Sequence, residues 1–310
     1  MKKNIFLMIS VLVFSNTIFS QSVYDFLNLG ISPRASALAG SFVSNYDDPN
    51  IIFYNPAGIA SLKETPASFS YLQHLVDISS ASFAMSKEIE NIGRFGAGIQ
   101  YVNYGDFPKT DQYGKQNGNF SAKEIALIVG YASEIDENFY YGANVKFIFS
   151  GIENYTSTGL AFDLGLQYIL AESGWSFGFA VQNLGAQLES YAGIKEKIPV
   201  DVKLGLSKRL AHTPFTFYFA VNKLNESGDG LSSRFSNITG GVEIKLSAAI
   251  KLRLGYENEK RKEYKIGTTP GLAGFNLGFG IRVSEYDVDY SFSSMGSMGA
   301  LHRFGITTAF

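Results

Sequence analysis

A chain of 310 residues with no cysteine cannot be a disulfide scaffold, a thiol enzyme or a thiolate metal protein. Charged residues make up 17%, below the roughly 25% of ordinary soluble domains, and 26 basic against 28 acidic residues leave no basic excess for nucleic acid. Aromatics at 15% and plentiful aliphatics exclude a disordered chain.

The first residues read as a secretory leader. Lys2 and Lys3 form a basic start, Ile5 to Phe14 an apolar run, and a more polar stretch reaches Ser20. The run is too short for the ~20 residues of a membrane helix. Cleavage is expected after Ser20, leaving Gln21 first. The expected organisation is a signal peptide at 1–20, an N-terminal segment at 21–62 and a barrel at 63–310.

Residues 21–62 show no period-two alternation. They hold Tyr24 to Gly30, a small-residue run from Ser32 to Ser41, Asp47-Asp48-Pro49, and the turn-like Tyr54-Asn55-Pro56-Ala57-Gly58. The segment is too apolar for a free tail. Its small residues allow close backbone approach, so it is expected to plug the barrel lumen.

From residue 66 the pattern changes to alternation. Phe139, Tyr141, Ala143, Val145, Phe147 and Phe149 share one face, with Tyr140, Gly142, Asn144, Lys146 and Ser150 on the other. Leu160, Phe162, Leu164 and Leu166 oppose Ala161, Asp163 and Gly165; Val202, Leu204 and Leu206 oppose Asp201, Lys203 and Gly205. About fourteen strands are expected by this criterion: 66–73, 78–87, 92–104, 121–133, 138–150, 158–171, 174–183, 199–210, 214–224, 235–248, 250–257, 272–283, 286–293 and 301–310. Residues 260–268 could hold a further short strand. Short and long connections take turns, the long ones being 105–120, 184–198, 225–234 and 258–271.

A soluble β-sandwich would also alternate. Three features favour an all-β, antiparallel transmembrane barrel instead. The strands are long enough to cross a bilayer when tilted. The apolar face carries aromatics near strand ends, including Tyr101, Tyr104, Tyr131, Tyr168, Trp175 and Tyr256, as interfacial girdles require. The opposite face carries both signs of charge, among them Arg94, Lys146, Asp163, Glu243, Arg253 and Asp289, which a lumen can satisfy. Phe310, with Gly305 before it, resembles the terminal assembly signal of bacterial outer-membrane barrels.

Little points to chemistry. His74, His212 and His302 are scattered at strand ends and turns, and no Gly-x-Ser-x-Gly, Walker A or His-Glu-x-x-His motif occurs. Asp47-Asp48 reads as a turn or solvated pair, with calcium binding as the alternative. No catalytic residue, metal or cofactor is expected, and the chain is not expected to be an enzyme. The long loops should face outward and bind partners, with Tyr104, Phe107, Tyr113, Phe120 and Tyr191 as aromatic anchors or, alternatively, as an upper girdle. Parity places these loops on one rim, read as opposite the N-terminus and so outside the cell.

The Arg34-Ala-x-Ala-Leu-Ala-Gly40 run, Asp47-Asp48, and Tyr54-Asn55-Pro56-Ala57-Gly58, in this order, resemble the start of the PorV/PorQ family; Val288-Asp289-Tyr290 and Leu301-His302-Arg303 resemble its end. Looser forms of the first signature occur in the wider FadL-like barrels. The resemblance implies a fourteen-stranded bacterial outer-membrane barrel serving type IX secretion. Its contacts would be outer-membrane lipid, secretion-system proteins and, for a member of the PorV type, cargo sorting domains, with no nucleic acid and no cofactor. The family-signature residues would be Arg34, Gly40, Asp47, Asp48, Asn55, Pro56 and Gly58 in the plug. The alternative is a FadL-like channel for hydrophobic small molecules, which the charged inner face is expected to disfavour.

Overall fold

The computed structural model describes residues 22–226, 237–264 and 271–310. The leader expected at 1–20, Gln21, most of the loop expected at 225–234 and part of that at 258–271 lie outside the described residues. Fourteen strands form one closed barrel, each antiparallel to its neighbours. They are β1 (Pro66–Gln73), β2 (Ser79–Ile89), β3 (Gly93–Thr110), β4 (Gln116–Asp136), β5 (Phe139–Ile152), β6 (Tyr155–Leu170), β7 (Trp175–Glu189), β8 (Asp201–Arg209), β9 (Phe215–Val221), β10 (Ile238–Lys245), β11 (Ile250–Glu257), β12 (Phe275–Val283), β13 (Tyr286–Ser294) and β14 (Ala300–Ala309). β1 pairs with β14 from Pro66↔Ala309 to Gln73↔His302, so the sheet has no free edge.

The faces fall as alternation requires. Phe147 (47% exposed), Leu164 (52%) and Leu204 (51%) point out, while Lys146 and Asp163 are buried inside. Inverted faces would put the aliphatic band against buried charge and the charges in lipid. The outer band identifies a membrane-spanning barrel of the bacterial outer-membrane type.

Three connections differ from expectation. β3 and β4 run 18 and 21 residues, so the stretch expected as loop 105–120 is mostly a hairpin closed at 111–115. Beyond the membrane band the side chains no longer alternate, yet backbone pairing continues into solvent. A bulge between Asn103 and Asp106 marks the change, with Gly105 at φ +81 and Phe107 stacked on Phe120 at 5.3 Å. β7 likewise continues to Glu189, into the stretch expected as loop 184–198. Residues 260–263 of the stretch 260–268 lie in a short helix, Asn258–Glu263, and not in a strand.

The N-terminal segment reverses one expectation. Val23 N donates to Lys197 O at 2.9 Å, within the β7–β8 connection, so the described chain begins at the long-loop rim. At the other rim Thr65 N donates to Phe310 O at 3.1 Å and Arg94 Nη1 to Glu64 O at 2.8 Å. Parity located the rims relative to Pro66, not to the chain's start. The segment between runs from one rim to the other against the inner wall.

Candidate functional site

Within this segment the same local device is used three times. Ser32, Asp48 and Asn55 each precede a proline, and each side chain accepts a backbone N–H two or three residues on, from Ala35, Asn50 and Ala57. The oxygen caps a short helical turn, and the proline occupies the first position, where no N–H is needed. The turns are α1 (Pro33–Ala37) and two 3-10 turns, Pro49–Phe53 and Pro56–Ser61. They turn Ala35, Leu38, Phe42, Ile51, Ile52 and Ile59 into one buried cluster with Ala84, Ile128 and Ala132 of the barrel wall.

Close approach to the wall depends on inward glycines. A Cβ at Gly142 would stand 2.5 Å from Pro56 C, and one at Gly255 2.5 Å from Ala37 O. Backbone cannot yield as a flexible side chain can. Gly142→Val should therefore destabilise the packed segment by about 1–3 kcal/mol, read as faster limited proteolysis of residues 22–62 with the barrel itself intact.

Charges complete the contact. Arg34 Nε and Nη2 donate to Glu243 Oε2 and Oε1, both at 3.1 Å, and Arg34 Nη1 pairs with Asp47 at 2.9 Å and Asp48 at 3.4 Å. Glu243 also accepts from Arg253 Nε at 2.7 Å, and Arg253 reaches Asp289 at 2.5 Å. A second group joins Lys146, Asp163, Asn144 and Asn183, with Asn144 Nδ2 donating to Ile52 O at 2.9 Å. Both groups tie the inner wall to the segment.

All the signature residues lie inside the barrel. Asp47 and Asp48 are partners of Arg34. Asn55 donates to Val43 O at 2.9 Å and Leu166 O at 3.1 Å, and Pro56 opposes Gly142. Gly58 has Ile51 and Gln167 where a Cβ would stand. Gly40, at φ +72, follows α1 with its N–H on Ala35 O. The histidines stay apart: His74 bonds Ser80, His212 sits in the β8–β9 turn, and His302 bonds Tyr290.

The five loop aromatics divide. Tyr113, 85% exposed, stands in the hairpin turn. Phe107 and Phe120 wall the barrel mouth. Tyr104, expected in the outer girdle, instead points inward in phase with Gln100 and Val102 and donates to Glu124 Oε2 at 2.5 Å. Tyr191 also points in and donates to Ser150. With Val23, Tyr24, Phe26 and Leu27 they pack on Val102, Ala126 and Ile148, beside a cavity of about 440 Å³. Glu124 and Ser150 were not singled out from sequence. Both lie on the polar face of their strands, but only the β4–β5 register places them opposite each other.

No family model matches the sequence, and no curated protein matches it either. Solved structures do. The toluene transporter TodX of Pseudomonas putida superposes with a TM-score of 0.58 at 11% identity, over 89% of this chain and 97% of its own. A FadL homologue of Pseudomonas aeruginosa gives 0.57 at 11%, over 90% and 98%. The CymD monoaromatic hydrocarbon channel gives 0.56 at 12%, over 91% and 98%. At such identities the likeness concerns the fold, which this chain shares with FadL-like outer-membrane barrels along nearly its whole length.

Proposed function

We propose that the protein is a non-enzymatic outer-membrane channel for hydrophobic small molecules, with residues 22–62 as the plug that must loosen for passage. The observation that carries this reading is the segment running from rim to rim beneath a largely apolar mouth cavity. The resemblance to hydrocarbon channels supports it, and the charged inner face does not oppose it, because those charges pair with one another and with the segment. Proteoliposomes holding the protein should take up toluene or 2-phenylethanol faster than liposomes holding a plugged barrel of unrelated function. Equal rates would contradict the channel.

The projecting β3–β4 hairpin, with Tyr113 at its turn, favours a second reading: a type IX secretion component that holds cargo sorting domains or attachment-complex proteins at the long-loop rim. Shortening residues 108–118 should then lower cargo display while membrane levels hold. Unchanged display would remove this reading.

A further inference from the structure

At the mouth, Glu124 projects from β4 into the cavity beside the N-terminal segment. Its carboxylate accepts from Tyr104 Oη at 2.5 Å and from Ser150 Oγ at 2.9 Å. Ser150 in turn accepts from Tyr191. Asp25 and Glu196 line the same cavity. Among the described residues no lysine or arginine pairs with any of these three carboxylates. Lys109, on the nearby hairpin, is engaged by Glu153.

Elsewhere inside the barrel carboxylates meet arginine or lysine, as Glu243, Asp289 and Asp163 do. Glu124 meets only neutral hydroxyls, so its charge is oriented but not neutralised. Val23, Phe107, Phe120, Ala122 and Ile152 supply apolar wall, and Tyr24 and Ser22, which donates to Asp25, complete the lining. The volume of about 440 Å³ falls in the range of roughly 300–1,000 Å³ usual for small-molecule sites.

We infer that this mouth binds a small organic cation with an apolar body, of the arylalkylammonium class, and discriminates against a carboxylate carrying the same body. The ammonium would meet Glu124 with Asp25 and Glu196 near, and the ring would lie along Phe107 and Phe120. Glu124, partly withdrawn from water, attracts a cation more strongly than the exposed Asp25 and Glu196 do, and aromatic faces add to that attraction. The same charges repel an anion. The site's place on a transport route rests on the channel reading; binding itself does not.

The test uses the mature barrel in lipid nanodiscs and three probes of one shape: 2-phenylethylammonium, 2-phenylethanol and phenylacetate. Calorimetry or ligand-observed NMR should give the cation at least about tenfold tighter binding than the anion, with the alcohol between. Glu124→Gln, which keeps the shape, should reduce the cation's advantage over the alcohol to within about twofold. Should that variant fail to fold, exposed Asp25→Asn should lower the advantage in the same direction, and salt should weaken it in the wild type. Equal affinity for the three probes, or an advantage unchanged by the carboxylate substitutions, would overturn the inference. Uptake of 2-phenylethanol in proteoliposomes separates the two claims. Charge selectivity without uptake removes the channel and leaves the site, whereas uptake without selectivity removes the site and leaves the channel.

Discussion

Arg34→Met should destabilise the folded protein by about 3–5 kcal/mol, the cost of breaking a buried ion pair by removing one partner. The guanidinium is buried and shared by Glu243, Asp47 and Asp48. Without it Glu243 keeps Arg253, but Asp48, at 4% exposure, loses the one arginine it pairs with among the described residues. The damage should fall on the segment's attachment to β10. Adding Asp48→Asn to Arg34→Met should recover part of the loss, because the buried charge is then gone while the carbonyl oxygen can still cap Asn50 N. Urea unfolding in mixed micelles, followed by Trp175 emission and by protease access to residues 22–62, reads both. A loss below about 1 kcal/mol would mean the pair is solvated.

Leu164→Arg should cost about 2–4 kcal/mol where the site lies near the bilayer midplane, because an unpaired guanidinium would face lipid. Leu164 is 52% exposed on the outer wall of β6, paired with Ala143 and Val181. Lys203→Gln, on the inner wall, should cost about 1 kcal/mol or less. Its partner Asp201, at 3.3 Å, retains the Lys223 N–H at 2.7 Å. The measurement is the folded fraction after refolding into bilayers across a denaturant series. Equal losses would mean that the two faces have been exchanged.

Much of the barrel was legible because its physics is local. A period of two fixes which residues of a strand share a face, so Phe147 outward and Lys146 inward follow from their neighbours alone. Strand ends inside the membrane band were equally clear, as at 66–73 and 250–257. Features set by distant partners were not legible. Arg34 and Glu243 are 209 positions apart, and nothing in their spacing joins them. Tyr104 shares the parity of the inward Gln100 and Val102, so its side follows from alternation, whereas Phe107 faces inward only because one bulge, a single extra residue, exchanges the faces of everything beyond it. The hairpin above the membrane left no such mark, because alternation ends where lipid ends while backbone pairing continues. The signature residues were recognised by resemblance; their roles as caps, close contacts and ion-pair partners became plain only with the wall in place.

The central claim is that the chain's own N-terminal segment runs through the barrel against the inner wall. The protein has no cysteine, so an introduced pair reports without interference. A Cβ on Gly205 would stand 3.1 Å from the Val43 Cβ, near the reach of a disulfide after a small shift. Leu204, the adjacent residue, faces lipid. The measurement is disulfide yield in Val43→Cys/Gly205→Cys, assembled in outer membranes and read by non-reducing electrophoresis and mass spectrometry, against Val43→Cys/Leu204→Cys. High yield in the first pair and background in the second is the predicted result. Background yield in the first pair, in barrels that are otherwise assembled, would place the segment outside the lumen and contradict the account.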